Sequence, residues 1–184
     1  MDCRKLLGFT LVELLVSLAI GAVLLFVAAP VFTSIVRAGY LSTQTHLFVS
    51  AVNYARTEAI QRKQTVFICA RLNNHCQNNQ KWEQGWLIFV DENRNGALDN
   101  DELIQVSGGF EVGYTLRPNV SASNLLFRSD GVVRRGTGAL PLMTFRLCAP
   151  DAGAGNLAER SREIVINATG RMRLQFGREL AGAC

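Results

Sequence analysis

The stretch Gly8-Phe9-Thr10-Leu11-Val12-Glu13-Leu14 opens an apolar run that continues to Ala29. A short leader carrying Asp2, Arg4 and Lys5 precedes it and ends in Gly8. Within the run, residues 9–29, Glu13 is the one charged residue. A run of this kind reads as a membrane-spanning helix, which needs about 20 apolar residues. A secretory leader has its cleavage site after the apolar core, with small residues before the cut. Here the glycine stands before the core. An ionisable residue inside a span costs roughly 2.5–3.5 kcal/mol at mid-bilayer, which makes Glu13 a functional candidate. It lies one turn into the helix, where the positive dipole end favours a carboxylate by about 0.3–1 kcal/mol. That is too little to offset burial in lipid, so Glu13 calls for a cationic partner.

The stretch resembles the N-terminus of type IV pilins and type II secretion pseudopilins. In that family a peptidase cuts after the glycine and methylates the new N-terminal residue. The resemblance implies processing at Gly8 and Phe9. Glu13 falls at the family's fifth mature residue, and Pro30 at its helix-kinking proline, mature position 22. It implies that the free amine of a neighbouring subunit's Phe9 meets Glu13 during assembly. The implied partners are the prepilin peptidase, other pilins of the filament, and the inner membrane before assembly. The implied localisation is single-pass in that membrane, head in the periplasm, followed by a pilus or pseudopilus.

The chain has 184 residues, and removing 1–8 leaves 176, enough for one membrane helix and one modest head. Loss of the leader lowers the net charge from +4 to +3, because Arg4 and Lys5 leave with Asp2. So mild a basic balance does not by itself indicate nucleic-acid binding. With 18% charged residues the chain is not of the disordered class. Four cysteines remain after the leader: Cys69, Cys76, Cys148 and Cys184. They allow three pairings, and an exported chain meets an oxidising compartment, where two disulfides are expected. Cys69–Cys76 would close a short loop, and Cys148–Cys184 would pin the C-terminus. His75 beside Cys76 matches no zinc spacing.

Helical patterning resumes beyond Pro30, so the proline is expected to bend the helix rather than end it. Leu41, Thr45, Phe48, Val52, Ala55 and Ala59 form one face, opposite Asn53, Arg56, Thr57 and Gln61. The helix is expected to run to about 61–63, and from residue 9 to 63 it would be a rod of roughly 80 Å. The organisation expected is a leader at 1–8, a transmembrane or filament-core helix at 9–30, its amphipathic half at 31–63, and a β-rich head at 64–184. Strands are expected at 65–69, 86–90, 103–106, 114–116, 124–127, 143–147, 163–167 and 171–176, short and antiparallel. Residues 73–80 read as a loop or hairpin tip and 151–160 as a surface loop. The fold class is α+β, a long N-terminal helix packed on an antiparallel sheet, which is the pilin arrangement.

Three runs narrow the resemblance: Gly85-Trp86-Leu87-Ile88-Phe89-Val90-Asp91, Phe127-Arg128-Ser129-Asp130-Gly131, and Ile164-Val165-Ile166-Asn167-Ala168-Thr169-Gly170-Arg171. They resemble minor pilins and pseudopilins of the GspH/FimT class, subunits at or near a filament tip. Gly170-Arg171-Met172-Arg173 is similar to the Gly-Arg-x-Arg motif of FimT proteins, which bind DNA in natural transformation. On a strand, residues two apart face one side, so Arg171 and Arg173 would present paired guanidinium groups suited to phosphate, with Gly170 at a turn. Arg128, Arg134, Arg135, Arg146, Arg160, Arg162 and Arg178 could join them. From Leu103 onward ten arginines stand against six acidic residues. No aromatic ladder interleaves them, so contacts to double-stranded DNA would be to phosphates and blind to sequence. The bland alternative is that exposed arginines keep a β-surface soluble and block edge pairing.

Asp91 to Glu102 fits a twelve-residue calcium loop: Asp91, Asn93, Asn95, Asp99 and Glu102 at positions 1, 3, 5, 9 and 12, with Gly96 at 6. A strand precedes it and no helix follows, so Asn95-Gly96 also reads as a plain tight turn. No cofactor is otherwise expected. His46 and His75 show no nucleophile partner, and no phosphate-binding glycine loop occurs, so no enzyme is expected. The function expected is DNA capture by a minor pilin of a type IV pilus during competence. The alternative is a structural minor pilin or secretion pseudopilin that primes or tips the filament.

Overall fold

A computed structural model of the chain describes residues 10–135, 138–139, 143–150, 160–167 and 169–177, without the side chains of 27–31. Gly8, Phe9, Arg178 and Cys184 lie outside them. One helix, α1, spans Leu11–Arg62. By compactness the chain divides into two units, 1–37 and 38–184.

In the first unit the helix starts at Thr10. The Glu13 amide donates to Thr10 Oγ1 at 3.2 Å, and the Leu14 amide donates to the Thr10 carbonyl at 3.2 Å. Thr10 is therefore the N-cap, and Glu13 stands at the third helical position, the spacing of a capping box. Glu13 is exposed, as are Leu11, Leu14, Leu18, Leu25 and Phe26. Among the described residues no helix is long and apolar enough to cross a membrane. The span read from 9–30 includes Phe9 and the side chains of 27–30, which fall outside those residues.

The second unit holds the rest of α1 and, among the described residues, ten strands. In chain order these are β1 (Thr65–Leu72), β2 (His75–Cys76), β3 (Trp86–Asp91), β4 (Leu103–Val106), β5 (Thr115–Pro118), β6 (Asn124–Phe127), β7 (Val133–Arg135), β8 (Met143–Cys148), β9 (Ser161–Ile166) and β10 (Met172–Phe176). A single 3-10 turn, Trp82–Gln84, precedes β3. Lys63, with φ +55°, turns the chain out of α1; a left-handed residue after the last turn is a common helix stop. One sheet has the order β4-β3-β1-β6-β7, with β2 on β1, and the second β10-β9-β8-β5. All pairings are antiparallel.

The helical stripe read from the sequence is the side that packs: Leu41, Thr45, Phe48, Val52, Ala55 and Ala59 are all buried. Phe48 touches Trp82, Trp86 and Phe145 with ring centroids 5.6, 5.2 and 4.8 Å away. Trp86 belongs to the first sheet and Phe145 to the second. The strand β3 is buried at every residue, which explains its unbroken apolar run. One face meets this core, and the other carries a smaller cluster of Phe67, Cys69, Leu87 and Phe89, covered by Leu98 and Leu126. Apolar side chains therefore cover both faces of the strand from Trp86 to Val90, and its polar residue, Asp91, falls at the end.

The strands at 103–106 and 124–127 keep their expected bounds, the first strand runs three residues further, to Leu72, the others shift by one or two residues, and two strands were not foreseen, β2 and β7. The cysteines Cys69 and Cys76 form a disulfide. Cys148 is also disulfide-bonded; its partner lies outside the described residues, so the pairing with Cys184 stays an expectation.

Candidate nucleic-acid interface

The turn between β9 and β10 is built by Asn167. Its Oδ1 accepts from the Thr169 amide at 3.1 Å, the Thr169 hydroxyl at 2.8 Å and the Arg171 amide at 2.8 Å. Its carbonyl accepts the Gly170 amide at 2.9 Å, and its own amide donates to the Arg171 carbonyl at 3.1 Å. One asparagine thus fixes the backbone from which Arg171 projects. Gly170 has φ +76°. A Cβ there would lie 3.1 Å from Val133 Cγ1 and 3.8 Å from the Gly131 carbonyl oxygen. The turn therefore abuts the β6–β7 hairpin.

That hairpin closes through Arg128–Gly131. The Gly131 amide donates to the Arg128 carbonyl at 2.8 Å, and the Val132 amide donates to Asp130 Oδ1 at 2.9 Å. Gly131, at φ +74°, is crowded in turn by the helix: a Cβ there would lie 2.9 Å from Ile60 Cδ1 and 3.2 Å from Arg56 Nε. Three elements meet at these two glycines, and each brings an arginine: Arg56 from α1, Arg128 from the hairpin, Arg171 from the β9–β10 turn. Arg56 was read from sequence only as part of a polar helix face. The signal for it would have been the Asp130-Gly131 turn, which a large residue cannot occupy and a helix can approach.

Arg171 and Arg173 are both exposed. Arg173 Nη2 donates to Gln175 Oε1 at 2.9 Å. Among the described residues Arg171 and Arg134 make no side-chain hydrogen bond or ion pair. Arg128 lies 3.9 Å from Asp130, with both side chains exposed, a pair worth little in water.

The other arginines are not gathered here. Arg134 stands opposite Leu126, on the outer face of the first sheet, whereas Arg135 stands opposite Leu125, a core residue. The Nε of Arg135 is buried without a hydrogen-bond partner. Arg146 binds Glu163 Oε1 through Nη2 at 2.6 Å and Nε at 3.1 Å. Arg162 lies over the Phe176 ring, 4.7 Å from its centroid, and burial pushes its guanidinium below the ordinary value. Arg160, the residue before β9, has a partner of its own, and Arg178 falls outside the described residues.

In the 91–102 loop, Asp91 and Glu102 are buried while Asn93, Asn95 and Asp99 are exposed. Among the described residues no three His, Cys, Asp or Glu side chains converge to hold a metal ion.

A family model described as type II transport protein GspH matches residues 44–170. The chain belongs to the GspH family. A second model, the prokaryotic N-terminal methylation motif, matches residues 3–29. The GspH match ends at Gly170, so Arg171 and Arg173 stand just beyond it. No curated protein matches the chain by sequence. Among solved structures the GspH-family chain is similar to the type IV minor pilin FimU of Pseudomonas aeruginosa, with TM-score 0.53 and 18% identity over 73% of this chain and 87% of that one. It is also similar to the minor pseudopilin EpsH of the type 2 secretion system of Vibrio cholerae, with TM-score 0.51 and 13% identity over 74% and 97% of the two chains. At these identities the likeness is one of fold: a long helix on an antiparallel β head, the type IV pilin arrangement.

Proposed function

We propose that this minor pilin captures double-stranded DNA by its phosphates, without sequence preference, at a type IV pilus during natural transformation. The observation that carries the reading is the packing of Gly170 against the β6–β7 hairpin. It draws the turn bearing Arg171 to the hairpin bearing Arg128 and to Arg56 of the helix. The exposed Arg128 and Arg171, with the half-buried Arg56 beside them, suit a phosphate backbone, where arginine binds two oxygens at once.

In this reading the chain begins as a single-pass inner-membrane precursor with its head in the periplasm. The prepilin peptidase cuts after Gly8 and methylates Phe9. Glu13 then meets the free amine of a neighbouring pilin as the subunit enters the filament. The matched methylation motif supports this order of events. The protein works by binding and assembly, without catalysis.

A second reading is structural: a pseudopilin or minor pilin that primes or tips its filament. The GspH family description and the likeness to EpsH favour it. The deciding experiment is an Arg171→Gln, Arg173→Gln strain scored for DNA uptake, piliation and secretion side by side. Lost uptake with intact filaments supports DNA capture. Unchanged uptake sinks that reading and leaves the structural one.

A further inference from the structure

Among the described residues the two sheets run between four end strands: β4 and β7 in the first, β10 and β5 in the second. An end strand presents a row of unpaired backbone N–H and C=O groups, and proteins commonly guard it with charge or proline. Three of the four are guarded in this way. The strand β7 carries Arg134 and Arg135, β5 carries Arg117 and Pro118, and β10 carries Arg173. The strand β4 is Leu103-Ile104-Gln105-Val106, with no charge and no proline. Among the described residues no strand pairs with its free side. Leu103 and Val106 are 41% and 44% exposed.

The pairing of β4 with β3 is irregular. Val106 stands opposite Leu87 and Gln105 opposite Ile88; the register then shifts, and Leu103 stands opposite Phe89. Leu87 and Phe89 belong to the outer cluster with Phe67 and Cys69, whereas Ile104 packs on the main core. In a regular strand, residues three apart point to opposite faces. The shift instead sets Leu103 and Val106 on the same, outer face. The outer cluster thus reaches the rim of the sheet and ends there in two exposed apolar side chains. Charge is divided between the two ends of the strand. Asp101 lies just before β4, exposed, and among the described residues it makes no ion pair. Arg71 lies at the other end, where its Nη1 donates at 3.0 Å to the carbonyl of Ser107, the residue after β4.

We propose that β4 is a self-pairing edge, to which a second copy of this chain adds its own β4, antiparallel, about a two-fold axis. Such pairing sets the start of the strand beside the end of its copy. With the axis between Ile104 and Gln105, Leu103 of each copy faces Val106 of the other. The exposed apolar side chains then cover one another on the outer face, and the two outer clusters become continuous. The same register sets Ser107 of one copy opposite Glu102 of the other, which brings Arg71 to the end of the strand that carries Asp101. Acid and base meet twice across the axis. The occupant is a copy because the complement of each end of β4 is its own other end; a parallel neighbour would set Asp101 against Asp101. The ladder is short, so the free dimer is weak, and it strengthens where membrane or filament holds subunits close together. The contact lies on the first sheet and does not depend on DNA capture.

The test is sedimentation equilibrium of the full chain in density-matched detergent, at concentrations up to ~1 mM, the weak end of specific affinity. A monomer–dimer equilibrium is expected. Val106→Lys should abolish the dimer, whereas Val112→Lys, at a fully exposed position elsewhere, should keep it. Asp101→Lys and Arg71→Glu should each weaken it about tenfold, because each sets like charges together. Mixed, these two variants should recover the native affinity, since both pairs attract again. The double variant Leu103→Cys, Val106→Cys should oxidise in cells to a covalent dimer of this chain. A monomer at every concentration would overturn the proposal. So would a dimer that survives Val106→Lys, which would place the contact elsewhere, or one that Val112→Lys also abolishes. A cysteine cross-link to a different pilin would give the edge to another occupant and overturn self-pairing.

Discussion

Gly170 stands against Val133: a Cβ at position 170 would lie 3.1 Å from Val133 Cγ1, on a backbone with φ +76°. The contact joins the end of one sheet to the end of the other. It also makes the position of Arg171 depend on a residue with no side chain.

Gly170→Ala should therefore destabilise the head by about 1–2 kcal/mol from backbone conformation alone, with a further cost from displacing Val133. Urea unfolding measures it. DNA affinity should fall as well, although every arginine remains. An unchanged melting curve would mean that the turn has no fixed conformation.

Arg171→Gln and Arg173→Gln test the electrostatic reading more closely. Each phosphate contact contributes about one unit to the slope of log K against log salt for duplex DNA. The double variant should lose about two units of slope, evenly across DNA sequences. Arg146→Gln should leave the slope unchanged, since Arg146 is held by Glu163. An equal effect from Arg146 would show that overall charge, and not the turn, attracts DNA.

Glu163→Ala addresses that pair directly. The side chains of Arg146 and Glu163 are 17% and 6% exposed, and removing Glu163 takes from Arg146 the carboxylate oxygen it holds through Nη2 and Nε. The expected loss is about 3–5 kcal/mol, read from the denaturant midpoint. Glu163 also accepts from Gln175 at 2.8 Å, and Gln175 accepts from Arg173, so the variant should loosen Arg173 too. A loss within experimental error would place this row of side chains in water.

Tyr54 and Glu58 give a spectroscopic prediction. The hydrogen bond to Glu58 holds the Tyr54 hydroxyl above the usual phenol value. Arg62 holds the Glu58 carboxyl below its own usual value. The Glu58 contribution to stability is thus present above the ordinary carboxylate range and lost as pH falls through the depressed value. That of Tyr54 is present below the ordinary phenol range and lost as pH rises through the raised value. Glu58→Gln should make one of the three tyrosines ionise at lower pH. Absorbance titration detects it, and identical curves would refute the contact.

Native filaments should yield a subunit that lacks residues 1–8 and carries one methyl group on the amine of Phe9. Intact-mass spectrometry settles this. A retained leader would remove the assembly role given to Glu13.

The long apolar periodicity of this chain was legible in its residues. The stripe from Leu41 to Ala59 is the buried stripe, because a two-sheet head covers that face. The β3 run was visible for a similar reason: both of its faces are covered. The strand β7 was not visible, since Val133-Arg134-Arg135 has one apolar residue in three and gains its place by pairing with β6. The roles of the arginines were least legible. Arg146 and Arg171 look alike in sequence, yet cross-strand register sets one beside Glu163 and leaves the other at a turn. Arg56 was hidden because its neighbour, Gly131, is far away in the chain. A carboxylate opposite an arginine is a tertiary fact, and neither spacing nor composition records it.

The ring of Phe48 has one more consequence. Among the described residues no strand pairing joins the first sheet to the second, an arrangement that by itself would allow melting in two stages. Phe48 meets Trp86 on one side and Phe145 on the other, and Trp82 closes against Phe145 at 5.1 Å. Loosening either sheet strips a neighbour from that cluster of edge-to-face and tilted aromatic rings and exposes the other. The cooperativity of this head is therefore vested in a helix side chain, and the two sheets should come apart in a single event.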